Sequence, residues 1–137
     1  MADVKDKKPI LLLTVGLPGS GKSTWARKLG DPIVNPDSIR LALHGNAFIK
    51  EAEPMVWTIA RYMIESLFLA GHKQVILDAT NTSFDRRREW DSPKWVTGYK
   101  VFDTPIEECK GRVIENGKEY LVEVIDRMAA SFDPLLS

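Results

Sequence analysis

The 137-residue sequence has a single cysteine, Cys109, so no disulfide can close within the chain, and a reducing, cytoplasmic setting is expected. No apolar run comes near the roughly 20 residues that cross a bilayer. The opening MADVKDKK is charged where a secretion signal would be apolar. A membrane partner is therefore not expected. An excess of charge is missing too: 19 basic residues balance 19 acidic ones. Proteins that coat long stretches of nucleic acid carry a basic surplus, so any nucleic-acid contact here has to be local and made through few residues. The two histidines, His44 and His72, lack metal-ligand spacing. There is no repeat, low-complexity tract or Pro/Ser-rich linker, so 1–137 reads as one domain, with residues 1–8 as a loose tail.

What is present begins with "GLPGSGKS" at 16–23, which fits G-x-x-x-x-G-K-[ST]. A pattern of four fixed positions is persuasive only in context, and the context is right. The apolar run 9–15 ahead of it suits a strand buried on both faces of a parallel sheet. Trp25, Ala26 and Leu29 behind it recur at helical spacing before Gly30. Glycines let successive backbone N–H groups curl around an anion, and the new helix adds unpaired N–H groups and the positive end of its dipole. A glycine-rich turn alone would not require Lys22. Gly16, Pro18, Gly19, Ser20, Gly21, Lys22, Ser23 and Thr24 thus form the expected nucleotide-binding set, for ATP with Mg²⁺. Lys22, expected to stand exposed, reaches the β- and γ-phosphates, and the Ser23 hydroxyl ligates the metal.

Downstream, the pattern alternates. A short strand is expected at 32–35, a helix from Pro36 through Leu43, and a surface loop at 46–53. A helix at 54–70 carries Val56, Ala60, Met63, Leu67 and Ala70 on its apolar face. A buried strand at 74–78 ends on Asp78, Ser83 and Asp85 open another helix, and residues 99–103 alternate as a fourth strand. Two helices, 104–117 and about 119–131, close the chain. Strands alternating with helices imply an α/β fold of the P-loop NTPase type, a parallel sheet of about four strands flanked by helices. Ligands of such sheets bind beyond the strands' carboxyl ends, where the loop, Asp37 and Asp78 all fall.

Asp78 is placed to hold Mg²⁺, through water or through Ser23, with helix capping as the plainer alternative. Asp37 is placed to take the proton of an attacking hydroxyl. Arg40, one turn on, is placed to clamp an acceptor phosphate. The plainer alternative makes Asp37 an N-cap and Arg40 a surface cation. Arg86, Arg87 and Arg88 cannot share one helix face; Arg87 is taken as a further acceptor contact and at least one of the three as solvated. Trp25, Trp57, Trp90 and Trp95 read as core or interface residues rather than stacking platforms. Cys109 reads as a half-buried helix residue.

In order and spacing, "GLPGSGKSTWARKL", "NPDSIR", "DATNTSFDRRREW" and "YKVFDTP" resemble the 5′-kinase domain of phage-type polynucleotide kinases, within the zeta-toxin/polynucleotide-kinase-like group of AAA ATPases. The resemblance spans about Ile10 to Met128. It implies Asp37 as general base, Arg40 on the acceptor phosphate, and Arg112 as a lid residue over the donor phosphates. Three departures stand out. The second lid arginine falls near Asn116, with Lys118 as a possible substitute. Ala79 stands where the phage enzymes carry an acid. The sequence stops where they continue into a 3′-phosphatase domain. The expected activity is transfer of the ATP γ-phosphate to a nucleic-acid hydroxyl, chiefly a polynucleotide 5′-hydroxyl. Rivals are the hydroxymethyl group of a modified pyrimidine such as 5-hydroxymethyluracil, a small metabolite or nucleotide, and a non-catalytic ATP-binding switch.

Overall fold

A computed structural model describes residues 7–45 and 48–135. Four strands form one parallel sheet in the order β2–β3–β1–β4, with β1 at Ile10–Val15, β2 at Ile33–Val34, β3 at Gln74–Leu77 and β4 at Val96–Val101. This is the expected architecture. β1 is central: Leu11 pairs with Val75 and Leu13 with Leu77 on one side, and Leu13 with Tyr99 on the other. The connections leave β1 toward β2 and leave β3 toward β4, in opposite directions. A crevice therefore opens at the carboxyl ends of β1 and β3.

The helices are α1 (Lys22–Leu29), α2 (Pro36–His44), α3 (Glu53–Leu69), α4 (Phe84–Arg88), α5 (Ile106–Glu115) and α6 (Leu121–Ala130), with one 3₁₀ turn at Lys50–Ala52. The expected loop at 46–53 thus contains a turn of helix and the first residue of α3; its residues 46–47 lie outside the described ones, as do residues 1–6 of the expected tail. Apolar side chains of alternate strand positions, Leu11, Leu13, Val75, Leu77 and Val34, cluster with Val56, Ala60 and Ile64 of α3 and with Trp90 and Trp95. A second cluster joins Leu17 to Cys109 and Val113 of α5 and Ile125 of α6.

Three expectations shift. The buried stripe of α3 is Val56, Ala60 and Ile64, while Met63 and Ala70 are exposed, because packing on the sheet selects the i, i+4 row. The fourth strand starts at Val96 rather than Tyr99, its ladder opened by the Val96 N–H donating to the Pro9 carbonyl at 2.9 Å. It is an edge strand with Val96, Tyr99 and Val101 exposed, so its letters carry little apolar signal. Trp90 and Trp95 are core residues, as expected, and Cys109 is fully rather than half buried, with its thiol pushed up by burial.

Candidate active site

The loop between β1 and α1 is held by its neighbours. Gly16 N–H donates to the Thr80 carbonyl at 3.0 Å, anchoring the loop to the segment after β3. Gly19 has a φ of +81°, and a Cβ there would lie 2.6 Å from the Cys109 carbonyl oxygen, so α5 presses directly on the loop. Gly21 caps α1 in the left-handed region, at φ 99°. The Lys22 Nζ turns back to donate to the Leu17 carbonyl at 2.7 Å, and the residue is only 8% exposed. The expected exposed lysine is therefore a buried one. Burial strips water from the ammonium and lowers its pKa from 10.5 to about 8, with nearby Asp78 opposing the shift.

Asp78, 4% exposed, accepts from the Ser23 hydroxyl at 2.7 Å and from the Asn35 amide at 3.1 Å on the same oxygen, Oδ2. It caps no helix; Ser83 caps α4, its hydroxyl accepting from Arg86 N–H at 3.1 Å. An alcohol against a buried carboxylate is an all-oxygen donor set of the kind Mg²⁺ takes. Among the described residues no group of three or more His, Cys, Asp or Glu could hold a metal by itself. That fits Mg²⁺, which relies on one or two carboxylates plus substrate phosphates rather than on a protein cage. Ser23 and Asp78 would hold it.

The cluster around Asp37, expected to face an acceptor, is built from side chains. The Asn35 side-chain oxygen, Oδ1, caps α2, accepting from Asp37 N–H at 2.7 Å and Ser38 N–H at 3.2 Å. Asp37 is thus not the cap, and its carboxylate, 87% exposed, faces outward. Arg40 donates from Nη1 to Asp37 Oδ1 at 2.7 Å. Its other edge meets Glu53 in a fork, Nε to Oε2 at 2.8 Å and Nη2 to Oε1 at 2.6 Å. The Arg40 guanidinium holds the Glu53 carboxyl below the usual carboxylate range, and Glu53 in turn raises Arg40. Arg40 is therefore a braced residue rather than a loose surface cation.

Arg112, on α5, donates to the Gly19 carbonyl at 3.1 Å and also bonds Glu108, which brings it to the loop. Asn116 and Lys118 lie in the exposed turn after α5. Arg87 departs from expectation. It is 2% exposed, and its guanidinium is spent on two carbonyls, Asn81 at 2.9 Å and Asp133 at 2.7 Å. It cannot contact an acceptor from there; it fastens the segment after β3 to the end of the chain. Asn81 itself sits at φ 47°, with its amide on the Thr14 carbonyl at 2.9 Å. Sequence reasoning missed two site residues. Asn35 had a signal, an Asn ahead of a helix-opening Pro. Glu53 had none, lying 13 residues from Arg40.

Lys22, Ser23 and Asp78 thus meet on one side of the crevice, with Arg112 over the loop, while Asp37, Arg40 and Glu53 form a chain on the other. Residues 11–135 match the AAA domain family. Among solved structures, a chain of the Pnkp1/Rnl/Hen1 RNA repair complex superposes with a TM-score of 0.72 at 28% identity, over 93% of this chain and 47% of that one. A chain from another structure of the Pnkp1/Rnl/Hen1 complex gives 0.69 at 34% identity, over 77% and 39%. The present chain therefore spans less than half the length of either. A gluconokinase from Sinorhizobium meliloti 1021 shares the fold, with a TM-score of 0.55 at 16% identity, over 89% and 75%. The chain belongs to the AAA domain family and is a P-loop kinase-like domain within it.

Proposed function

We propose that this chain transfers the γ-phosphate of ATP to a hydroxyl of a nucleic acid, in the first instance a polynucleotide 5′-hydroxyl. The observation that carries the proposal is the Asp37–Arg40–Glu53 chain. A switch that only binds nucleotide has no use for an exposed carboxylate kept beside a braced guanidinium at the mouth of the crevice. The likeness at 28% identity to a chain of the Pnkp1/Rnl/Hen1 RNA repair complex supports a nucleic-acid acceptor.

In this reading the loop's backbone N–H groups and Lys22 bind the donor phosphates, and Ser23 with Asp78 holds the metal. Bound Mg²⁺ supplies neutralising charge on the phosphate oxygens. Asp37 accepts the proton of the attacking hydroxyl as its oxygen forms the new bond to the γ-phosphorus. The bond from that phosphorus to the bridging oxygen breaks, and ADP leaves with the electron pair. Lys22 and Arg112 balance the charge that builds up on the donor side. Arg40 orients Asp37 and offers its remaining N–H groups to a phosphate next to the acceptor hydroxyl.

A small-molecule acceptor is the second reading, favoured by a cavity of about 460 Å³ that opens beside Ser23, Asn35 and Asp78. The test is transfer of labelled γ-phosphate onto a panel of 5′-hydroxyl oligonucleotides, hydroxymethylated duplex, nucleosides, nucleotides and sugars. Efficient labelling of a 5′ end is expected. Exclusive labelling of a sugar or a free nucleoside would sink the polynucleotide reading, and labelling of internal modified bases would move the acceptor hydroxyl off the strand end.

A further inference from the structure

An open groove of about 810 Å³ runs between α3 and α4, starting at Glu53, the residue that braces Arg40. Lys50, Glu53, Trp57 and Arg61 follow at helical spacing along its wall, and Tyr62 lines it from the next row of the helix. From Glu53 to Tyr62 the wall is about 13 Å long at the α-helical rise. Opposite, the Arg86 guanidinium of α4 lies 4.1 Å from the centre of the Trp57 ring, giving a flat cation backed by an aromatic. Tyr62 is 70% exposed.

The charges are unequal in effect, though not in number. Each carboxylate of the groove already has a cation: Glu53 has Arg40, Glu65 has Lys94 at 3.2 Å, and Glu89 has Arg86 at 3.1 Å. Among the described residues Lys50 and Arg61 have no carboxylate partner. One exposed tyrosine on a helix is unremarkable on its own. Here it shares a groove with two unmatched cations and a backed guanidinium, continuous with the acceptor side of the crevice. Arg61 donates to the Glu89 carbonyl at 2.6 Å and lies 4.9 Å from the Trp90 ring centre, yet keeps its net charge. Flat π surfaces alternating with cations that no carboxylate neutralises suit unstacked bases joined by phosphates.

We propose that this groove receives the nucleotides that follow the 5′-terminal one in a single-stranded acceptor. Bases lie against Tyr62 and the outer face of Arg86, and phosphates lie at Lys50 and Arg61. The inference rests on the nucleic-acid reading of the crevice and extends it from one nucleotide to a strand.

The test compares a 5′-hydroxyl hexanucleotide with a nucleoside 3′-monophosphate in wild type, Tyr62→Ala and Lys50→Ala, both exposed positions. KM for transfer is measured, together with anisotropy of the fluorescein-labelled hexanucleotide. The hexanucleotide should have a KM about tenfold or more below that of the mononucleotide. Tyr62→Ala should remove about fivefold or more of that advantage, the range of one lost stacking contact. Lys50→Ala should reduce the salt dependence of hexanucleotide binding by about 0.7 in logarithmic slope. Equal KM values for the two acceptors, or equal losses on both in each variant, would overturn the groove and leave the kinase reading standing. Tyr62-dependent binding of a hexanucleotide that is never phosphorylated would keep the groove and overturn the kinase reading. Neither binding nor transfer would overturn both.

Discussion

The two sides of the crevice are made differently. The donor side is short-range and buried: Lys22 and Ser23 lie in one eight-residue motif, and Asp78 is delivered by the strand next to β1. The proposed acceptor side is long-range and exposed, with Asp37 facing outward and Arg40 braced by Glu53 from another helix. A triphosphate tail is the same in every donor, so backbone amides and a local motif suffice to hold it. An acceptor has to be chosen, and under the proposed function side chains from separate elements do the choosing. Substitutions on the donor side should therefore act on every acceptor alike, and those on the acceptor side should discriminate among acceptors.

The largest effect is expected where the two sides meet. Asp37→Asn keeps the shape but cannot take a proton, so kcat should fall by about 10² to 10⁴-fold while ATP affinity changes little. A parallel loss of ATP affinity would assign Asp37 to the metal and break the contrast. Glu53→Gln comes next. It removes the charge that fixes Arg40, and KM for a phosphate-bearing acceptor should change by about tenfold with donor KM unaffected, in line with one lost charged hydrogen bond. If donor and acceptor KM moved together, the two sides would be a single unit.

The donor side carries a pH signature of its own. Lys22 titrates near 8 because it is buried, so below that pH it is already protonated and ready for phosphate. Above about 8, binding a triphosphate has to draw a proton in, and donor affinity should fall by up to about tenfold per pH unit until the pKa in the complex is reached. Calorimetry at pH 9 in buffers of different ionisation enthalpy would read that uptake directly; no buffer dependence would remove the shifted lysine from the account. The smallest effect on transfer is expected at Arg87. Arg87→Lys cannot reach both the Asn81 and Asp133 carbonyls, so urea unfolding should show a loss of about 1 to 3 kcal/mol, with only a modest drop in turnover. A strong rise in acceptor KM with unchanged stability would return Arg87 to the binding site.

The same division explains what could be read in the letters. The strand, loop and helix around Gly16–Ser23 are consecutive, and Asp78 ends an apolar run, so local pattern is enough. Asp37 and Arg40 are legible as one helical turn, but whether the pair was merely a cap depended on Asn35 taking that role. Glu53 is joined to Arg40 only by the way α3 returns past α2, and no local pattern encodes that. Arg87 sits in a run of three arginines where periodicity says one is different but not which one is buried. The edge strand β4 lacks the continuous apolar signal of β1 because four of its six residues are exposed and none is buried.

The close approach of Gly19 to the Cys109 carbonyl, which leaves no room for a Cβ, has a consequence in time. The loop cannot swing outward without pushing α5, and α5 carries Arg112, which is itself bonded to Gly19. Loop and arginine are one mechanical part, so the arrival of donor phosphates and the settling of Arg112 should share one kinetic phase rather than two. Rapid mixing with ATP, followed by tryptophan fluorescence, to which Trp25 on the adjoining helix contributes, should give a single exponential in wild type and in Arg112→Lys alike. A second, slower phase lost in that variant would mean the arginine closes separately.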